Sequence, residues 1–251
     1  MQQGISATSI FEQDGLRITQ DDEYRYLVTV DDAVLSTLSL QDTAKLCLPC
    51  MQAMMVALLF VAAPKRVLQL GLGAGDTVRF LRAAYPDSHI TAVEYDANMV
   101  QLAQRYFSLP PADAHFTLMI DDAAHALSLQ NGTFDLILLD IVMDMQQPEA
   151  YQQAQLFHDC ARHMQAHTVL AINFIVSDTE VLAEFVAMLK QVFHSTIFCL
   201  PVAGYHNVIL FVLNSCSQDI QLQALHTQAE ELAQRFQFPL QQFVDDMKQL
   251  N

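Results

Sequence analysis

Residues 67–76 read Val67-Leu68-Gln69-Leu70-Gly71-Leu72-Gly73-Ala74-Gly75-Asp76. A short apolar run ends in a turn with three glycines. A helical pattern follows over about 75–84 and stops before Pro86. A second apolar run, Ile90-Thr91-Ala92-Val93, then ends in Glu94. Strand, tight turn, helix, strand and acid make a crossover unit of the kind that holds a nucleoside. Glycine tolerates positive φ and lets the backbone come close to a ligand. Amides at the helix start face that ligand. A carboxylate at the second strand end can accept from a ribose diol. Gly71, Gly73, Gly75, Asp76 and Glu94 are therefore candidate nucleoside contacts.

Outward from this stretch the pattern keeps alternating. Before it, residues 1–45 read as short strands: Leu16–Thr19, Tyr24–Val30 and Val34–Leu38, with acidic turns at Asp21-Asp22-Glu23 and Asp31-Asp32. This predicts a small antiparallel cap. A helix is expected over about 48–62, strands over 66–71 and 89–94, and a helix over about 97–106. Pro110-Pro111 blocks its continuation. His115–Ile120 reads as a third strand. Phe134–Leu139 is almost wholly apolar, as expected of a strand covered on both faces. A helix over about 149–164 leads to strand Val169–Phe174, and Ser177 with Glu180 suggests a capping box for the next helix.

Strands His194–Leu200 and Val208–Leu213 lie too close together for a crossover helix, which predicts an antiparallel pair. The sum is an α/β chain built on a doubly wound, seven-stranded sheet. Leu222, Leu225, Ala229, Leu232 and Phe236 then form a helical stripe, and a second short helix should start near Pro239. The expected units are 1–45, 46–215 and 216–251.

The 251 residues are 52% hydrophobic and carry 28 acids against 12 Lys and Arg, a net charge of −16. That balance disfavours a nucleic-acid partner, which would need phosphate-neutralising cations. It suits a small cationic substrate. Five cysteines in apolar settings, with no basic and apolar leader in Met1–Gly15, suggest a reducing, cytoplasmic compartment. Leu46–Pro64 is uncharged but contains Pro49 and Gln52 and runs straight into the glycine strand, so a buried helix is expected rather than a membrane span.

Cys47-Leu48-Pro49-Cys50 has redox spacing but opens a very apolar helix, which favours core thiols. His163 and His167 need not share a face, and the scattered histidines carry no metal motif. No metal is expected.

Acids end three successive strands: Glu94, Asp122 (or its neighbour Asp121) and Asp140. In an open parallel sheet those ends share one rim with the glycine turn. Together with Ala92-Val93-Glu94-Tyr95-Asp96, Asp122-Ala123 and Phe134–Asp140, the chain resembles the polyamine aminopropyltransferases, the spermidine and spermine synthases. It is most similar to their divergent relatives, and the likeness spans about residues 24–213.

The resemblance implies a Rossmann-like, methyltransferase-type domain behind a small N-terminal strand domain, in a homodimer. It implies decarboxylated S-adenosylmethionine as co-substrate. Glu94 then falls on the ribose and Asp122 at the adenine. Asp140 falls where the catalytic base accepts a proton from the amine acceptor. Asp144 stands one place beyond the position of a second family Asp. Gln52 stands where a family Glu would hold the far ammonium of a diamine, with Cys50 in place of a Tyr.

Those changes put an ordinary diamine acceptor in question. Transfer of a methyl group from S-adenosylmethionine, or binding of a nucleoside or polyamine without catalysis, are the alternatives. Arg79 and Arg82, the basic residues nearest the turn, are expected to face solvent.

Overall fold

A computed structural model describes residues 7–141, 150–214 and 222–250. The first element is an antiparallel sheet of β1 (Thr8–Gln13), β2 (Leu16–Gln20), β3 (Tyr24–Thr29) and β4 (Val34–Ser39), paired in sequence order. Ile18, Leu27 and Leu38 point inward from its strands and pack on Ala74, Leu102 and Phe107. β1 has no period-two apolar signal. Only Phe11 is partly covered, against Tyr106 at 5.4 Å, and the strand is defined by pairing with β2.

The large sheet contains β5 (Arg66–Leu70), β6 (His89–Glu94), β7 (Phe116–Ile120), β8 (Phe134–Leu139), β9 (Met164–Ile175), β10 (Thr196–Pro201) and β11 (Asn207–Leu213). All seven expected strands are present. An eighth, β12 (Lys248–Leu250), adds to the edge at β10. The order is β12-β10-β11-β9-β8-β5-β6-β7. β7, β6, β5, β8 and β9 run parallel, while β11 is antiparallel to both β9 and β10.

Helices cover both faces, and the strands show it. Val67, Leu136 and Leu138 enter one apolar layer, whereas Leu68, Leu70, Ile137 and Leu139 enter the other. Burial on both faces explains the continuous apolar runs. The first layer is completed by α1 (Pro49–Met54), α2 (Asp76–Ala84), α3 (Ala97–Tyr106), α7 (Leu222–Phe236) and α8 (Leu240–Asp246). The second is completed by α4 (Ala123–Ser128), α5 (Ala150–Arg162) and α6 (Thr179–Phe193).

Three local expectations are corrected. The helix over 48–62 is short: α1 ends at Met54, and Met55–Leu59 is a 3-10 turn. Met55 to Leu59 are buried on every side, so packing rather than an amphipathic period sets the backbone there. α6 is capped by Asp178, which accepts from the Glu180 amide, and not by Ser177. α4 was not expected. It is a single short helix whose cap, Asp122, accepts from the Ala124 and His125 amides.

The apolar stripe of the tail is used within the chain. Leu225, Ala229, Leu240 and Val244 join the core layer that holds the 3-10 turn. Phe80 of α2 meets Phe236 edge-on at 4.9 Å and Phe238 at 5.3 Å. No helix among the described residues is long and apolar enough to cross a membrane. Phe80→Ala should cost about 3–5 kcal/mol in chemical denaturation. It should also make the tail the first segment cut in limited proteolysis. An unchanged denaturation midpoint would show that the tail is not held by this cluster.

Candidate functional site

Strand order reverses between β5 and β8, so a crevice opens at their carboxyl ends. The glycine turn is tied to both neighbours: the Gly71 amide donates to Val93 O at 3.0 Å, and the Asp140 amide donates to Leu70 O at 2.8 Å. Gly71 has φ +87°, and a Cβ there would lie 2.1 Å from the Asp140 carbonyl oxygen. A Cβ on Gly75, at φ +82°, would meet Leu109 Cδ1 at 2.6 Å. Around Gly73, at φ +54°, a Cβ would find no atom within 4 Å. Gly71 and Gly75 therefore serve packing, and Gly73 faces open space where a ligand has room.

Buried polar groups brace the turn from below. Gln69 of β5 donates to Gly71 O at 2.9 Å and accepts from Thr77 Oγ1 at 2.6 Å. Arg79 is 5% exposed, not turned to solvent as expected. Its three nitrogens donate to Thr43 O, Ala74 O and Asp76 Oδ1 at 2.8, 2.7 and 2.6 Å. Asp76 also accepts from Ser36 Oγ of β4 at 2.6 Å, which joins the small sheet to the turn. A guanidinium inside the fold needs such acceptors, because an unpaired buried charge is very costly. Arg82 pairs with Asp113 at 2.6 Å, and this pair holds the Asp113 carboxyl down at about 2.

Glu94 lies across the turn. Its Oε2 accepts from the Leu72 and Gly73 amides at 3.0 and 3.2 Å, and Oε1 accepts from Asp96 N at 3.0 Å. The amides fix the carboxylate beside Gly73 and leave lone pairs for hydroxyl donors. Asp122 gives Oδ1 to the α4 cap, at 2.9 and 3.0 Å, and Oδ2 has no protein partner among the described residues. Asp121 engages His125 Nδ1 at 2.7 Å instead.

Asp140 is half-buried on the opposite side of β5. Its Oδ1 accepts from Asn173 Nδ2 at 2.8 Å. Removal from water pushes its carboxyl up to about 6. The Asn173 hydrogen bond pulls it down, and the negative charges of Asp76 and Glu94 push it up again. Asp140 is thus close enough to Asp76 and Glu94 to feel the charge of both.

Asn173 at the end of β9 was not singled out from the sequence, nor was Tyr205 in the β10–β11 turn. No motif marks either one; strand pairing brings them in. Cys50 of α1 is near Asp140, and Tyr205 is near Cys50. Burial first, and then Asp140, push its thiol up to about 12. Cys47 and Cys50 are free thiols, and both are raised by burial, which opposes redox reactivity.

Gln52 is turned away from this crevice, contrary to its expected place beside a substrate. It donates to Leu46 O at 2.7 Å and lines a separate cavity of about 430 Å³ with Phe80, Phe236 and Phe238. Helix phase is the reason: Cys50, two residues earlier, takes the side toward Asp140. Asp144 lies outside the described residues. His163 is tied to Gly132 O and Leu127 O, and no group of three or more His, Cys, Asp and Glu able to hold a metal occurs among the described residues.

Residues 67–167 match the family model of a methyltransferase domain. The polyamine aminopropyltransferase of Chromobacterium violaceum is 30% identical over 236 residues, covering 94% of this chain and 90% of that protein. The chain belongs to the polyamine aminopropyltransferase family.

A second aminopropyltransferase, from Neisseria meningitidis serogroup A, is 26% identical over 235 residues, 93% of this chain and 89% of that one. Among solved structures, a probable spermidine synthase from Corynebacterium glutamicum superposes with a TM-score of 0.71 at 20% identity, over 89% of this chain and 86% of that one. Human methyltransferase-like protein 13, in complex with SAH, superposes with a TM-score of 0.68 at 23% identity, over 77% and 94%. These two likenesses establish the shared Rossmann-like, methyltransferase-type fold with a small N-terminal sheet. The family's chemistry is transfer from an S-adenosyl sulfonium.

Gly71→Ala and Gly73→Ala should separate packing from binding. Gly71→Ala forces β5 from β8 and should lower stability by more than about 1 kcal/mol. Gly73→Ala should cost only the left-handed backbone, about 1–2 kcal/mol, while weakening nucleoside binding. Denaturation and calorimetry with methylthioadenosine measure both. Equal stability loss with unimpaired binding would remove Gly73 from the ligand's path.

Asp140 gives a sign test. Its carboxyl is raised above the ordinary 3.8, so the folded state holds that proton more tightly than the unfolded chain. The stabilising contribution is full below about pH 4 and is lost as pH rises through about 6. Asp140→Asn should therefore raise Tm at pH 8 relative to the parent protein and change it little at pH 4. A lower Tm at pH 8 would contradict the burial argument.

Proposed function

We propose that this chain transfers an aminopropyl group from decarboxylated S-adenosylmethionine to a small cationic amine, with Asp140 as general base. The observation that carries the reading is the carboxylate poised at about 6 across the turn from Glu94. A sulfonium carbon is already electrophilic. The remaining tasks are to hold a neutral amine in line and to accept its proton as the carbon–nitrogen bond forms and the carbon–sulfur bond breaks. The released product is methylthioadenosine, and the proton resides on Asp140. A base near 6 is mostly ionised at neutral pH and still close enough to it to work efficiently.

In this reading Glu94 accepts from the ribose hydroxyls and Asp122 Oδ2 from the adenine amino group. Gly71, Gly73 and Gly75 shape the turn, and Asp76 acts through Arg79. Residues 46–215 form the nucleoside-binding unit, capped by 1–45 and buttressed by 216–251. The decarboxylated form is favoured by charge. Glu94 and Asp140 flank the turn, and the guanidinium beneath it already has an acceptor on every nitrogen. Methyl transfer from S-adenosylmethionine is the second reading, supported by the match to a methyltransferase domain.

The deciding assay supplies each sulfonium with a panel of mono-, di- and triamines and follows methylthioadenosine and methyl incorporation. Methylthioadenosine release that depends on an amine supports the proposal. Methyl incorporation from the carboxylated form would replace it. Asp140→Asn should lower turnover by about 10²-fold or more while leaving nucleoside affinity nearly unchanged. Glu94→Gln should weaken nucleoside binding first, by about 1.5–3 kcal/mol. The rate should fall as pH drops through about 6, because protonated Asp140 has no room for a second proton. Full activity of Asp140→Asn would remove it as the base.

A further inference from the structure

Asp140 has one side-chain hydrogen-bond partner among the described residues, the Asn173 amide at 2.8 Å. An amide can present either its N–H or its C=O to a neighbour. Only the N–H side suits a carboxylate. Asn173 Oδ1, at the other end of the amide, accepts from Asn207 Nδ2 at 2.9 Å. Asn207 opens β11, where it pairs with Ile175, and Asn173 pairs with Ile209, so neighbouring strands hold the two amides together. Both asparagines are partly buried at the sheet end.

We infer that Asn207 is a positioning residue: by donating to Asn173 Oδ1 it fixes that amide with its N–H toward Asp140, and so orients and tunes the carboxylate without touching the reacting groups. This rests on the assignment of Asp140 as base only for its kinetic consequence. The orienting role itself is a property of the three side chains. Without the Asn207 donor, the Asn173 amide can rotate and aim its oxygen at Asp140, which replaces attraction by repulsion. The other groups that Asp140 faces are Asp76 of α2, Glu94 of β6 and Cys50 of α1, two of them anionic and none cationic. Asn173 is therefore the group that favours the ionised form, and its orientation has leverage.

The test follows the Asp140 carboxyl carbon by NMR in protein labelled with ¹³C aspartate, the signal assigned by its loss in Asp140→Asn. The midpoint in the parent protein should lie near 6. In Asn207→Ala, and in the isosteric Asn207→Leu, it should rise by about half a pH unit or more, since each loses the donor. Asn173→Ala should raise it at least as far, and adding Asn207→Ala to it should change nothing more.

If the protein turns over, the acidic limb of its rate profile should move with the midpoint while the KM for the sulfonium stays put. An unmoved midpoint in a folded Asn207 variant, or additive shifts in the double variant, would overturn the relay. A midpoint that moves in a protein that transfers nothing would leave the relay standing and remove the transferase reading.

Discussion

The approach of Gly71 to the backbone of Asp140 is the constraint on which the site depends. Parallel strands β5 and β8 diverge at their carboxyl ends only after passing so close that a methyl group would overlap the Asp140 carbonyl oxygen. The turn must therefore begin with glycine at positive φ. The same contact sets where the Asp140 side chain leaves β8. One steric fact thus places both the floor of the crevice and the carboxylate on its far wall. The buried Gln69, bonded to Gly71 O and Thr77, keeps the helix start in step with the strand end.

Electrostatics then sorts the acids around that floor. Asp76 is neutralised from within by Arg79 and also binds Ser36, so it works as a structural charge linking the small sheet to the turn. Glu94 is held by three backbone amides, which fix its carboxylate beside Gly73. Asp140 is withdrawn from water with a single side-chain amide donor and two anionic neighbours, so its carboxyl is raised. Three carboxylates with such different partners cannot be equivalent.

The period-two and helical patterns made the large sheet legible from residue 66 to 213, because strands buried on both faces leave long apolar runs. The rim acids were legible for a related reason: strand ends in a parallel sheet have one address. What escaped the pattern was held by something other than burial. β1 is exposed and exists through pairing, α4 is one capped turn, and β12 adds three residues to an edge. Arg79 looked solvent-facing because a lone arginine in a helix usually is. Its burial depends on the Thr43 and Ala74 carbonyls, which no local window reveals. Asn173 and Asn207 are 34 residues apart, and only the antiparallel pairing of β9 with β11 brings their amides together.

The two halves of the crevice differ in what they share with relatives. Methyl and aminopropyl transfer both displace a leaving group at one kind of sulfonium, so a glycine turn followed by a strand-end acid is compatible with either chemistry. This accounts for a chain that belongs to the aminopropyltransferases yet matches a methyltransferase domain. Discrimination must come from beyond β8. There Cys50 and Asn173 stand beside Asp140, both uncharged at neutral pH, while Gln52 is committed to Leu46 and the tail cavity. A second ammonium reaching past Asp140 toward α1 would leave water without gaining a carboxylate from these residues, a substantial cost.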